Sequence, residues 1–211
     1  MPLRNSERAV ILLMLLLSMS FIAVAGVSSY QERQVEALAA KKLELSVAPQ
    51  QVIGSHPDFK GDPHSPYTLV EFGDYQCPPC RAVNAQLQDT LRLYNGRVKF
   101  VFRNLPLASI HPYAMSAALA AEAARKQAKF WQVHDALYSA DLDDAGVAQV
   151  LSSQEIRLSP AQRQAAKEVV EDDLKQAKSL GLNSTPTFLL CRPDGKVLIL
   201  PSLSSLDSIV E

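Results

Sequence analysis

The spacing of apolar positions changes several times along the chain, and each change marks a predicted element. The stretch from Ala9 to Val27 is rich in Leu, Ile and Met, carries no charge, and follows Arg4 and Arg8. As a helix rising about 1.5 Å per residue it spans roughly 28 Å, close to the thickness of a bilayer core. Two readings compete. Ala23-Val24-Ala25 has the small-x-small form of a signal-peptide cleavage site, whereas the length of the run suits an uncleaved anchor. Both set residues 1–29 apart from the fold and keep the basic end cytoplasmic. Both also place the remainder on the extracytoplasmic side, with the N-terminus contacting the membrane at least transiently. Residues 30–60 read as a spacer. A charged helical stretch with Val35, Leu38 and Leu45 on one side gives way to a linker broken by Pro49, Gly54 and Pro57.

Tyr67 to Phe72 is mostly β-branched and aromatic, with too little alternation for a solvated face, and predicts a buried central strand. Beyond Cys77-Pro78-Pro79-Cys80, the apolar positions Cys80, Val83, Leu87, Leu91 and Tyr94 recur at helical spacing. Asn95-Gly96 ends that helix, and Arg97 to Arg103 is a second strand, completing a β-α-β unit. Helices follow: one opened by His111-Pro112 and running to about Gln127, and another from Phe130 to Tyr138. A third has Ser159 as N-cap, Pro160 in its first turn and Gln162 completing a capping box. Its predicted core face is Ala161, Ala165, Val169, Leu174, Ala177 and Leu180, with Glu171-Asp172-Asp173 on the solvated side. Thr187 to Cys191 and Lys196 to Leu200 form a hairpin, and a short helix begins at Leu203. The expected class is α/β: a mixed sheet built as β-α-β plus β-β-α, with an inserted helical subdomain at about 111–181.

Composition narrows the function. The 211 residues are 47% hydrophobic and 20% charged, enough for one well-filled domain. Lys plus Arg number 21 against 22 Asp plus Glu, a net charge of -1, so no field holds a polyanion and nucleic acid is not an expected partner. Three cysteines are too few for a disulfide-built scaffold.

Chemistry concentrates at the cysteine pair. Cys77 falls at the tip of the predicted helix, where unpaired N–H groups and the dipole favour a thiolate, and Cys80 lies on its apolar stripe. An exposed, acidified thiol with a buried partner one turn away suits thiol–disulfide exchange. Pro78 and Pro79 fit the first turn, where N–H groups lack helical acceptors. A zinc site needs about two more ligands, and Cys191, His64, His111 and His134 offer no second pair, so no metal is expected. A purely structural disulfide is the other reading, though so small a ring braces little. The expected cofactor is none beyond the redox-active disulfide.

Val70-Glu-Phe-Gly-Asp-Tyr-Gln-Cys-Pro-Pro-Cys80, followed far downstream by Thr185-Pro186-Thr187-Phe188, resembles the DsbA-like thiol–disulfide oxidoreductases of the thioredoxin superfamily. Gly61-Asp62-Pro63 and Arg103-Asn-Leu-Pro106 fit the same pattern, and the family carries a helical insertion between its halves. The resemblance implies a thioredoxin fold over 61–211 and an enzyme, a dithiol oxidase donating the Cys77–Cys80 disulfide to folding proteins. A reductase or isomerase with the same residues is the alternative, and a metal-delivery or assembly factor a more distant one. The implied partners are thiol-containing exported proteins and a membrane redox partner that regenerates the disulfide. Pro186 is implied to be a cis-proline facing the pair, with the Thr185 backbone free to pair with an extended peptide. Glu71 is implied to be the family's buried acid, accepting a proton from Cys80; the competing reading is a partly exposed carboxylate, with Lys99 or Arg97 as possible neighbours. Asp74 reads as a turn residue and Cys191 as a core thiol. The Pro-Pro centre departs from the family's Pro-His, and the end after Leu200 is short.

Overall fold

The computed structural model describes residues 43–55 and 57–210. The apolar run at 9–27 and the Val35–Leu38 part of the spacer lie outside them. No helix among the described residues is long and apolar enough to cross a membrane.

Strands β1 (Glu44–Leu45), β2 (Tyr67–Gly73), β3 (Val98–Asn104), β4 (Thr187–Cys191) and β5 (Val197–Leu200) form one sheet in the order β1-β5-β4-β2-β3. The central strand β2 runs parallel to β3 and antiparallel to β4, and β4 pairs antiparallel with β5. Successive side chains of β2 point to opposite faces. Leu69 joins Phe100, Phe102, Phe188 and Leu190 in one core layer, which also holds Cys77, Cys80 and Leu87. Val70 and Phe72 join Val101, Leu189 and Cys191 in the other. Both faces are covered, which is why the strand shows so little alternation in sequence.

Helix α1 (Pro49–Ile53) lies between β1 and β2, and α2 (Pro78–Leu93) connects β2 to β3. Past its end, Gly96 takes a φ of 75°, a left-handed turn that glycine enters without a Cβ clash. The insertion holds α3 (Ala114–Arg125), α4 (Phe130–Ser139), α5 (Asp144–Ser153) and α6 (Pro160–Ser179); a 3-10 turn at Leu203–Ser208 closes the domain. The capping box of α6 forms as read, with the Gln162 N–H donating to Ser159 Oγ at 3.2 Å and the Ser159 N–H to Gln162 Oε1 at 2.9 Å. Helix α5 was not foreseen. Its N-cap Asp143 accepts the Gly146 N–H at 2.6 Å, but a glycine in the first turn weakens the helical signal.

Two expectations need correction. Residues 45–60, read as spacer and linker, belong to the compact unit that starts at Leu45. Val52 of α1 is fully buried in the second core layer, and Lys60 bridges Phe100 on β3. The apolar content of this short stretch was masked by its prolines and glycine. The core face of α6 is also displaced: Ala161 is exposed and Val169 is 39% exposed, while Ala166, Val170, Asp173 and Ala177 are buried. Asp173 therefore does not lie on a solvated face.

Its burial has a partner. Asp173 forms an ion pair with Arg103 of β3, itself buried, and accepts the Asn104 backbone N–H at 2.7 Å and side-chain amide at 2.9 Å. The Asn104 amide also reaches Glu122 of α3 at 2.8 Å, and Arg125 pairs with Glu122 and Asp58. Arg103 further donates to the Val52 carbonyl at 3.0 Å. The network ties α1, α3 and α6 to the end of β3. Burial raises the Asp173 pKa and Arg103 opposes that shift. Removing one member of a buried pair leaves the other charge uncompensated, which costs about 3–5 kcal/mol. Asp173→Ala is accordingly expected to lower the free energy of unfolding by about 3 kcal/mol. Asp172→Ala, which removes a 69%-exposed side chain 3.4 Å from the same guanidinium, should cost about 0.5 kcal/mol or less. Urea unfolding of both variants checks the contrast, and equal losses would contradict the assigned roles.

Candidate active site

Cys77 is the N-cap of α2, with an extended backbone (φ −70°, ψ 121°), and its side chain makes no cap bond to the helix. Pro78 and Pro79 follow as exposed first-turn residues, and Cys80 is fully buried beneath them. The Cys77 N–H donates to the Asp74 carbonyl at 3.2 Å, and the Cys77 carbonyl accepts the Arg81 N–H at 3.1 Å. Across the site the Thr185–Pro186 peptide is cis. The Cys77 thiol donates to the Thr185 carbonyl at 3.4 Å. Two sequence expectations change here. Cys77 is 5% exposed rather than open, because the Thr185 loop covers its sulfur, and the Thr185 carbonyl is engaged by that thiol rather than free.

Glu71 lies in the middle of β2, between Phe102 on β3 and Phe188 on β4 in register. It is 1% exposed, which removes the reading of a partly exposed carboxylate. Burial pushes its pKa up to about 8. Its Oε1 has no hydrogen-bond partner among the described residues. Gly73, two residues along the same face, completes the enclosure. A Cβ there would sit 2.4 Å from the Phe102 ring and 2.9 Å from Glu71 Oε1. Neither suggested cation reaches the carboxyl: Lys99 donates to the Pro63 carbonyl at 2.7 Å, and Arg97 lies over the Tyr94 ring. The Cys80 thiol is raised far above the usual thiol range, first by burial and then by the field of Glu71. The acid and the buried sulfur therefore sense each other.

Asp74 was read as a turn residue, and the structure makes it a buried anchor. It is 1% exposed; one oxygen accepts the Gln76 N–H at 2.8 Å, and the other meets the Leu107 N–H and His111 Nδ1, each at 2.8 Å. The loop before the cysteines is thereby fastened to the loop after β3. Cys191 sits in the opposite core layer from the pair, its thiol raised to about 12 by burial. No cluster of three or more His, Cys, Asp or Glu among the described residues is placed to hold a metal. Sequence reasoning missed the cluster of Tyr75, His134 and Tyr138, which packs on Phe102, the strand neighbour of Glu71. The available signal was the His134 and Tyr138 pair one turn apart on a helix opening with Phe130-Trp131.

A family model described as thioredoxin matches residues 56–211, and the chain belongs to that family. A thioredoxin-like oxidoreductase from Silicibacter pomeroyi DSS-3 superposes with a TM-score of 0.63 at 27% identity, over 77% of this chain and 95% of that one. DsbA2 from Pseudomonas aeruginosa shares the fold with a TM-score of 0.58 at 22% identity, over 74% of this chain and 93% of that one. The α/β fold with its helical insertion is borne out, and the resemblance holds at the level of the thioredoxin family and of the fold shared with DsbA2. Among curated proteins, a stretch of Na(+)/H(+) antiporter NhaA 1 from Salinispora arenicola (strain CNS-205) is 35% identical over 138 residues. That match covers 62% of this chain but 21% of the antiporter, so the chain spans about a fifth of the length of the curated relatives it matches. The antiporter name describes that far longer protein.

The state of Glu71 should be visible in stability. An acid whose folded pKa is raised contributes stability that is fully present below its unfolded pKa and is lost as pH rises through the folded value. Here the window runs from 4.5 to about 8. Glu71→Gln keeps the shape without the charge. The variant should match the wild type at the acid end and exceed it above the window, by at most about 5 kcal/mol. Urea unfolding across pH measures the difference, and a constant difference would show that Glu71 is not forced to ionise in a dry site.

Proposed function

We propose that this chain is a thiol–disulfide oxidoreductase acting on protein thiols, and that in its compartment it serves as a dithiol oxidase. The observation that carries the reading is the Cys77 sulfur on the carbonyl before cis-Pro186, with Cys80 buried one turn on and a buried Glu71 whose field reaches Cys80. In the oxidising direction, a substrate thiolate attacks Cys77 Sγ of the disulfide, forming a substrate–Cys77 bond and releasing Cys80 as a thiolate. Glu71 in its acid form protonates that leaving group. A second substrate thiolate then attacks the substrate sulfur, releasing Cys77; two electrons have moved to the cysteine pair. A membrane redox partner that takes those two electrons closes the cycle. In reverse, Glu71 accepts the proton as Cys80 resolves the mixed disulfide. An acid with a pKa near 8 holds both forms near neutrality, which suits a group that both gives and takes a proton.

The reading includes substrate binding as an extended strand beside cis-Pro186, the Thr185 carbonyl passing from the Cys77 thiol to the incoming main chain, a contact that reads main chain rather than sequence. The oxidase direction draws on the apolar run at 9–27. A basic, membrane-directed leader places the domain where disulfides form and persist. Thiol trapping in the native compartment tests the direction: an oxidised pair at steady state supports the oxidase, and a reduced pair assigns the site to a reductase or isomerase.

Two variants test the exchange itself. Cys80→Ala leaves Cys77 without its resolving partner and, under oxidising turnover, is expected to accumulate mixed disulfides with substrate proteins. A variant that captures none under turnover would count against exchange and leave the assembly-factor reading. Glu71→Gln is expected to slow the steps in which Cys80 leaves or attacks about tenfold or more in single-turnover measurements while leaving the second exchange, which releases Cys77, nearly unchanged.

A further inference from the structure

Helix α4 carries a hydrogen bond into the active-site layer that exchange chemistry does not use. Tyr75 stands two residues before Cys77, and its hydroxyl lies 3.0 Å from Nδ1 of His134. Both residues are 1% exposed. Tyr138, one turn beyond His134, packs against the Tyr75 ring with centroids 4.9 Å apart. Phe102, the strand neighbour of Glu71, touches all three rings, at 5.1 Å from Tyr75, 4.7 Å from His134 and 6.2 Å from Tyr138. Two of the rings that close over the Glu71 side of the sheet therefore come from the insertion. The Tyr75–His134 bond joins that insertion to the loop leading into the cysteines.

We propose that the Tyr75–His134 hydrogen bond is a positioning device that holds α4 down as a roof over Glu71, keeping its carboxyl dry while it exchanges a proton with Cys80. The proposal deepens the oxidoreductase reading and rests on it for the role of Glu71. Neither partner of the bond changes charge in the working range. Burial holds His134 neutral, with Lys60 and Arg125 adding to the effect, and burial keeps the Tyr75 phenol protonated, with Glu122, Glu71 and Asp135 acting in the same direction and Arg125 opposing them. Burial raises the Tyr138 phenol, and Glu71, Cys80, Tyr75 and Asp74 act in the same direction. The clamp is therefore constant across pH while the acid beneath it titrates. Its strength bears on Glu71 through water access alone, since desolvation is what raises the acid.

The bond can be cut from either side with little change of shape. His134→Phe removes one partner, Tyr75→Phe removes the other, and His134→Asn restores a polar group near the Nδ1 position that can accept or donate. In the full chain, reduced, the titration of Glu71 is followed by the infrared carbonyl band of its protonated form, with Glu71→Gln as the reference for subtraction. Both Phe variants should move the midpoint down by about one pH unit or more. The double variant should move it no further than either alone, because both remove the same bond. His134→Asn should return the midpoint toward the wild-type value. A midpoint that stays put in both Phe variants while thermal stability falls would overturn the proposal and make the contact simple packing. The infrared readout needs no substrate. A shifted midpoint in a protein that moves no disulfides would uphold the roof and refute the exchange reading. A fixed midpoint in an active exchanger would do the reverse.

Discussion

The site depends on a carboxyl group placed where water cannot reach it. Glu71 stands mid-strand between Phe102 and Phe188, with one oxygen unpartnered among the described residues and no cation beside it. A charge in such a place is expensive, so the group holds its proton to about pH 8. Everything around it serves that condition. The central strand is covered on both faces, Gly73 lets the Phe102 ring close in, and α4 contributes Tyr138 and His134 above. The proposed proton exchange with Cys80 would draw on that cost in stability.

The second polar cluster shows the opposite solution to burial. Asp173, Arg103, Asn104, Glu122 and Arg125 are buried or nearly so, but each charge has an opposite neighbour and most hydrogen-bonding atoms are used. Paired charges of this kind specify how elements meet more than they add net stability. Here they set where α1, α3 and α6 dock on the far end of β3. One cluster has its charges paired and holds elements together; the other leaves a buried carboxyl oxygen without a partner among the described residues.

Much of the fold was legible because period and punctuation are local. The Tyr67 strand, the helix after the cysteines, the Ser159 capping box and the Thr187 hairpin all emerged within a residue or two of their observed bounds. The two cysteines and Pro186 were readable because their spacing and residue types belong to few structures, and the family assignment agrees. The failures have physical reasons. A glycine in the first turn hid α5, and prolines hid the packed segment at 45–60. The α6 face was misread because Asp173 looks like a surface acid until Arg103, 70 residues earlier, is seen beside it.

The sequence by itself determined the order of elements, the position of Cys77 at a helix tip with Cys80 on its inner stripe, and the chemistry such a pair performs. Those are matters of spacing, and spacing is written along the chain. Only the tertiary structure decided the depth of Glu71, the cover over Cys77 and the Tyr75–His134 contact. Each is a matter of dielectric or of a meeting between residues distant in sequence, 108 positions apart for Cys77 and Thr185 and 59 for Tyr75 and His134. Whether a carboxyl is charged depends on how much water surrounds it, and that is settled only when the strands and helices have closed.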